Sequence, residues 1–259
     1  MNNRLFFKPT VKVASILLLL LFIIVSCSDN AVGPNDIGGD VILELTEPGN
    51  DFPISLRVGD SYDPRFDSFK DSTFVLSRDN GIVTFRGRYT FDSAFVRAVD
   101  TILGLHSIPD PIKRVAIDTY LSRYGAVLDT TDMNNIKLTV DFKAKITSDG
   151  IAEFFSSKGD VNRPRTVFKY AWNIGDSYSF KDDYGIEKTR KVIAKSTIDD
   201  FPVAFWNIKV IQVEETIVDD PLISSVKYIG NHKFGLVGLN VVSKNNKTMK
   251  LTVFPPTLR

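Results

Sequence analysis

Ile136-Lys137-Leu138-Thr139-Val140-Asp141-Phe142-Lys143-Ala144-Lys145-Ile146 alternates apolar and polar residues without a break. In an extended chain successive side chains point to opposite faces. Ile136, Leu138, Val140, Phe142, Ala144 and Ile146 therefore line one side, and Lys137, Thr139, Asp141, Lys143 and Lys145 the other. A strand with one dry and one wet face belongs to an antiparallel sheet that covers a core on one side. A slip of one residue would turn the whole apolar face to water, so the register is strongly specified.

Working outward, Ser148-Asp149-Gly150 turns this strand into a second one at 151–155. Asp79-Asn80-Gly81 makes a similar hairpin between 73–78 and 82–91, and Asn245-Asn246 one between 239–243 and 248–254. Further strands are expected at 166–172, 188–195, 205–216 and 225–229. Two helices interrupt the pattern. Asp92 or Ser93 caps the first, which carries Phe95, Val96, Val99, Ile102 and Leu103 on one side. Asp110-Pro111 opens the second, with Ile112, Val115, Ala116, Thr119 and Tyr120 at helical spacing and Gly125 at its end. The expected fold is mainly β: an antiparallel sheet, open barrel or sandwich, with a two-helix insertion at about 92–125.

The first 26 residues differ in kind. Arg4, Lys8 and Lys12 precede Ile16-Leu17-Leu18-Leu19-Leu20-Leu21-Phe22-Ile23-Ile24-Val25, and Ser26 and Cys27 follow. Ten helical residues rise about 15 Å, half of a bilayer core about 30 Å thick. The run suits a signal peptide rather than a permanent span, with its basic end on the cytoplasmic side. Between Ser28 and Pro53, Gly33, Pro34, Gly38, Gly39, Pro48 and Gly49 read as a flexible tether, in which residues 41–45 offer an edge strand. The expected division is a signal peptide over 1–26 with a signal helix, a tether over 27–53, a β-rich region with the helical insertion over 54–165, and a second β-rich region over 166–259 that belongs to the same domain or to another.

Cys27 is the only cysteine. It can form no internal disulfide, so the exported part must stand on its core alone. Ile24-Val25-Ser26-Cys27 resembles the lipobox of bacterial lipoproteins, with Ile24 where that motif usually has Leu. The resemblance implies that Cys27 takes a diacylglyceryl group on its thiol, that cleavage falls before it, and that its new amino group is acylated, with palmitate among the chains. Two or more chains make an anchor stable where one binds only marginally. Ser28-Asp29-Asn30 resembles the export signal of surface lipoproteins in Bacteroidota, although those carry more acids. Ser28 also fits outer-membrane rather than inner-membrane retention.

A short string recurs: Val58-Gly59-Asp60-Ser61-Tyr62 and Ile174-Gly175-Asp176-Ser177-Tyr178. It is similar to an apolar-Gly-Asp-x-aromatic opening found in envelope lipoproteins of Bacteroidota. Tyr228 to Gly238 loosely matches the Tyr…Gly-x-Gly-Leu-Val string that closes such β-rich domains. Asp71-Ser72-Thr73, Asp92-Ser93-Ala94, Asp100-Thr101-Ile102 and Asp129-Thr130-Thr131 resemble the O-glycosylation triplet of the same bacteria.

Chemistry is harder to find. Gly-Asp-Ser also resembles the nucleophile block of GDSL-type esterases, which pair it with a late Asp-x-x-His. The chain has two histidines, His106 and His232, and the residues three before them are Leu103 and Ile229. A serine needs a positioned base to become nucleophilic, so both copies read as turns. The acids at Asp60, Asp63, Asp67 and Asp71 and the pairs Asp182-Asp183, Asp199-Asp200 and Asp219-Asp220 match no calcium loop. No phosphate loop or dinucleotide fingerprint stands out, and no catalytic, cofactor or metal residue is assigned. Trp172, Phe205, Trp206, Tyr228 and Phe234 are candidates for a ligand cavity or for plain core. Removing the signal, with its three cations, leaves 233 residues and takes the net charge from +1 to −2, which offers no electrostatic reason to bind nucleic acid. The expectation is a protein anchored to the bacterial outer membrane through lipid on Cys27, with a non-enzymatic binding, assembly or structural role. An envelope hydrolase and a lipid- or glycan-binding half-barrel are the alternatives.

Overall fold

The computed structural model describes residues 37–58, 71–132, 134–203 and 206–256. The signal peptide, Cys27 and the first Gly-Asp-Ser-Tyr copy lie outside the described residues. Residues Ile37–Arg259 belong to one compact unit.

Among the described residues, thirteen strands build one antiparallel sheet. Its first half runs through β1 (Asp51–Val58), β2 (Ser72–Asp79), β3 (Ile82–Phe91), β4 (Ala126–Asp129), β5 (Ile136–Thr147), β6 (Gly150–Glu153) and β7 (Arg165–Lys169). Its second half comprises β8 (Ser177–Lys181), β9 (Glu187–Lys195), β12 (Ile211–Ile217), β13 (Ile223–Asn231), β14 (Gly235–Ser243) and β15 (Thr248–Val253). A separate hairpin of β10 (Phe201–Val203) and β11 (Trp206–Ile208) lies between β9 and β12 in the chain. The sheet order is β7-β6-β5-β3-β2-β1-β15-β14-β13-β12-β9-β8, with β4 beside β5. The path of paired strands thus ends at β7 and β8, with β4 a further edge beside β5, and the sheet does not close into a barrel.

β1 joins the halves. Asp51 to Pro53 pair with β2, and Ile54 to Val58 pair with β15. Pro53, which has no N–H to give a ladder, stands where the strand changes partner. Its carbonyl still accepts from Phe254 N. Bulges at Val75/Ser77, Ile151/Ala152 and Gln212/Val213 add bend and twist. The curled sheet brings both halves onto one core, in which Phe52, Val75, Val83, Phe85, Ala144, Ile146, Ile151 and Phe168 meet Val192, Ile211 and Val213. Each fully buried side chain of this kind contributes about 1.5–3 kcal/mol.

β5 keeps the alternation read from sequence: Ile136, Ala144 and Ile146 are buried, Leu138, Val140 and Phe142 half-buried, and Lys137, Thr139, Asp141 and Lys143 exposed. The Asn80-Gly81 hairpin is present, with both residues at positive φ.

The stretch expected as tether behaves differently from 37 onward. Ile37 and Thr46 are buried, and Glu44–Thr46 form a 3-10 turn rather than a strand. Asp40 N donates to Ser148 Oγ and Ser148 N to the Asp40 carbonyl. Arg78 Nη1 donates to the Leu43 carbonyl at 3.0 Å and to Thr46 Oγ1 at 3.1 Å. Residues 37–50 are therefore bound to the β2–β3 and β5–β6 turns, and β1 begins at Asp51 inside the expected tether.

Helix α1 (Ser93–Leu103) starts where expected, with Asp92 Oδ1 accepting from Phe95 N at 2.7 Å and Gly104 ending it at φ 73°. Phe95 stacks on Phe91 of β3 at 4.3 Å. Helix α2 (Asp110–Ser122) has no buried residue, and its apolar stripe, led by Ile112 and Val115, faces solvent. The helix is held by its polar groups. Lys113 pairs with Asp100 of α1 at 3.0 Å, and Tyr120 Oη reaches Asp220 in the β12–β13 turn at 3.2 Å.

Candidate functional site

β9 follows the ordinary alternation, yet its inward face reads Lys188, Arg190, Val192. The same happens on β12, where Ile211, Val213, Glu215 and Ile217 are all buried, and on β6, where Glu153 follows Ile151 by two residues. Three strands thus deliver charged groups to the interior in phase with apolar neighbours. Arg190 and Glu215 are direct cross-strand partners.

Arg190 is 1% exposed. Its Nε donates to Glu215 Oε2 at 2.5 Å and its Nη2 to Glu153 Oε1 at 2.8 Å. Its Nη1 donates to the carbonyls of Thr166 at 2.8 Å and Arg165 at 3.0 Å, and to Tyr178 Oη at 3.1 Å. The guanidinium also lies 4.9 Å from the Phe180 ring centre and 5.7 Å from that of Tyr228. Lys188 extends the cluster to Asp182 at 3.1 Å and to Ser156 Oγ at 3.2 Å. Glu153 Oε2 accepts from Ser156 N, and Asp182 Oδ1 from Tyr184 N and Ile186 N.

Burial opposes the charge on Arg190, but Glu215 and Glu153 outweigh it and hold the guanidinium protonated far above its ordinary range. Lys188 is likewise opposed by burial and raised on balance by Glu215. Burial, reinforced by Glu215, keeps the Tyr228 phenol neutral. A buried charge is tolerable only when paired and hydrogen-bonded, and the five charged side chains here meet that condition through one another and through backbone.

The cluster has a definite mechanical role. β7 and β8 share no ladder, so the sheet's free edges must be joined by side chains. Arg190 does so from β9 to the β7 carbonyls, and Tyr178 of β8 donates to the Thr166 carbonyl. β6, β7, β8, β9 and β12 are thereby tied at one point. All five charged groups are at most 8% exposed, so a solute reaches them only if the edges part.

The residues singled out in the sequence do not gather here. Gly175-Asp176-Ser177 is a turn: Gly175 has φ 99°, Asp176 Oδ2 accepts from Asn173 N at 2.8 Å, and Ser177 opens β8 exposed. Ser177 pairs with Lys191, Lys191 with Glu214, and Glu214 with Lys227 on β13. His232 lies beyond that strand, so three strand spacings, about 14 Å along the sheet, part it from Ser177. His106 sits in the 3-10 turn after α1. Among the acid pairs, Asp182 belongs to the ionic cluster and Asp183 pairs with Arg163. Asp220 accepts from Leu222 N and Ile223 N. The aromatic set is dispersed: Trp172 and Tyr228 pack on the main core, Phe234 on a second cluster with Val203, Ile208, Val210, Ile229 and Val237, and Trp206 is exposed. Phe205 lies outside the described residues.

No family model matches the chain, and no curated protein matches it in sequence. Among solved structures it is similar to the crystal structure of a "putative lipoprotein" from Parabacteroides distasonis, at 10% identity and a TM-score of 0.36, over 85% of this chain and 99% of that one.

Proposed function

We propose that this protein is anchored in the outer membrane of a bacterial envelope of the Bacteroidota type by acyl chains on Cys27, and that its β body is a non-enzymatic binding, assembly or structural module. The observation that carries the reading is the order basic segment, ten-residue apolar run, Ser26, sole cysteine. That order provides for export and for a thiol that can be acylated. No helix among the described residues is long and apolar enough to cross a membrane. The buried ionic cluster favours a structural over a catalytic use of its carboxyl groups, because their partners are already committed. Direct packing of the two sheet halves favours a filled interior over a hollow, lipid-holding one.

The test is metabolic labelling with an alkyne fatty acid. The wild type should be labelled and should migrate as a form 26 residues shorter than its precursor, whereas Cys27→Ala should be unlabelled and unprocessed. Normal labelling of Cys27→Ala would overturn the assignment. Stoichiometric reaction of the mature protein with a fluorophosphonate at Ser61 or Ser177 would move the reading to a hydrolase.

A further inference from the structure

The end of the sheet where the described chain begins carries exposed apolar groups. Ile42 is 76% exposed, Ile198 66% and Trp206 50%. The three belong to segments at one end of the sheet, the corner where the β13–β14 turn and the β10–β11 hairpin lie. Leu45, three residues after Ile42, lies against Gly235 in the β13–β14 turn, where an added Cβ would sit 3.6 Å from Leu45 Cδ1. Asn231, at the other side of that turn, donates from Nδ2 to the Lys209 carbonyl at 2.7 Å. Lys209 directly follows β11, the strand that carries Trp206. The hairpin itself is rigidly seated, because Val203 and Ile208 are buried against Val210, Ile229 and Val237. Trp206, the cross-strand partner of Val203, shares the face of Val203 and Ile208 but stands at its rim, so this half-exposed side chain is held at a fixed place.

We infer that this corner, led by Trp206 and Ile198, rests on the lipid surface that holds the acyl chains of Cys27, so that the body stands on the membrane in one orientation. The inference rests on the lipid-anchor reading above. Chain length selects the occupant. Ten residue steps separate Cys27 from Ile37, a reach of at most about 35 Å, and Ile37 is fixed to the same end of the sheet as the hairpin. An anchor of that length holds the corner at an effective concentration on the order of millimolar next to the bilayer. Weak insertion then suffices. Tryptophan is the side chain best suited to the headgroup level, with an apolar ring and one N–H to keep wet. Asp199 and Asp200, exposed beside Ile198, favour a zwitterionic over an anionic surface.

The experiment uses the acylated protein, extracted from membranes and reconstituted into phosphatidylcholine vesicles with or without acyl-chain-brominated phosphatidylcholine, which quenches tryptophan on contact. The chain has two tryptophans, Trp172 and Trp206, and Trp206→Phe at this exposed site leaves Trp172 as the control. Brominated lipid should quench the wild type about twofold more than Trp206→Phe, and Ile198→Asp should reduce the difference. Flotation with the vesicles but equal quenching of the two proteins would overturn the docking and leave the anchor standing. Failure to float, with no acyl group on Cys27, would overturn the anchor and this inference together.

Discussion

The tip of the Phe168 ring on β7 meets the bare backbone of Gly230 on β13, so near that a Cβ on Gly230 would come within 2.3 Å of Phe168 Cζ. This contact joins two strands that share no hydrogen bond and belong to opposite halves of the sheet. Phe168 is 0% exposed and cannot withdraw. Gly230→Ala should therefore destabilise the protein by about 1–3 kcal/mol, the usual range for overpacking a core. In a Phe168→Leu background the added methyl should cost less. A double-mutant cycle by urea denaturation checks this, with a coupling of about 0.5–3 kcal/mol between the sites; strict additivity would mean that the halves do not meet there.

Arg190 closes the sheet edges, so removing its partners should be more damaging than removing the charges together. Glu215→Ala leaves a buried guanidinium short of a carboxylate, and the expected loss is about 3–5 kcal/mol. Replacing Arg190, Glu153 and Glu215 jointly by Met, Leu and Leu removes the desolvation cost along with the attraction. The triple variant should be more stable than Glu215→Ala. Chemical denaturation of the two variants decides, and a triple variant weaker than the single one would contradict this account of the cluster.

These groups were visible in the sequence, though not as chemistry. In Ile211-Gln212-Val213-Glu214-Glu215-Thr216-Ile217, Glu215 keeps step with the buried apolar residues while Glu214 does not. Arg190 and Lys188 keep step with Val192 in the same way. A charge in phase with an apolar face marks a buried ion, but only the fold shows which ions meet, because Glu153, Arg190 and Glu215 are far apart in sequence. β1 was hidden for a related reason. Its pairing of Ile54 with Val253 spans nearly the whole chain, and the Pro and Gly residues before it suggested a tether. Residues 205–216 read as one strand, yet the chain folds back there into a hairpin before β12 begins.

At α2 the helical spacing of Ile112, Val115, Ala116, Thr119 and Tyr120 predicts the helix but not its surroundings. The first four are exposed, and the contacts run through Lys113 and Tyr120. Ile112→Ser should change stability by no more than about 0.5 kcal/mol, the range for exposed sites. Ile102→Ser on α1, which is buried, should cost several times more. Thermal melts of both variants check the difference.

On β5 the periodicity held, and the two faces should respond oppositely. Leu138 is half-buried between Tyr89 and Leu128 of the flanking strands, so Leu138→Asp places a carboxylate against the apolar side and should unfold or strongly destabilise the protein. Thr139 is exposed and faces Arg88 across the ladder. Thr139→Asp should be neutral or slightly stabilising, because opposite charges on facing strands attract. Equal loss of soluble, folded protein for both would contradict the one-sided burial of this strand.

Alkaline pH should unfold the protein in one step. Burial is the main cause that raises the phenols of Tyr124, Tyr170 and Tyr178, and that of Tyr120 with help from Tyr124 and Asp220; the Tyr228 phenol is raised by burial and Glu215. In the unfolded chain each titrates near 10. A group whose folded pKa lies above its unfolded value contributes stability that is intact below the unfolded pKa and is lost as pH rises beyond it. Lys188, raised in the fold, has the same sign. The unfolded state therefore gives up protons that the folded state retains, and stability should be flat up to about pH 10 and fall steeply above it. Most of the rise in absorbance at 295 nm, which reports tyrosinate, should accompany the change in far-UV circular dichroism in a single cooperative transition, with exposed Tyr184 outside it. Gradual tyrosinate formation around pH 10 with the circular dichroism unchanged would show that these phenols are open to solvent, against their place in the core.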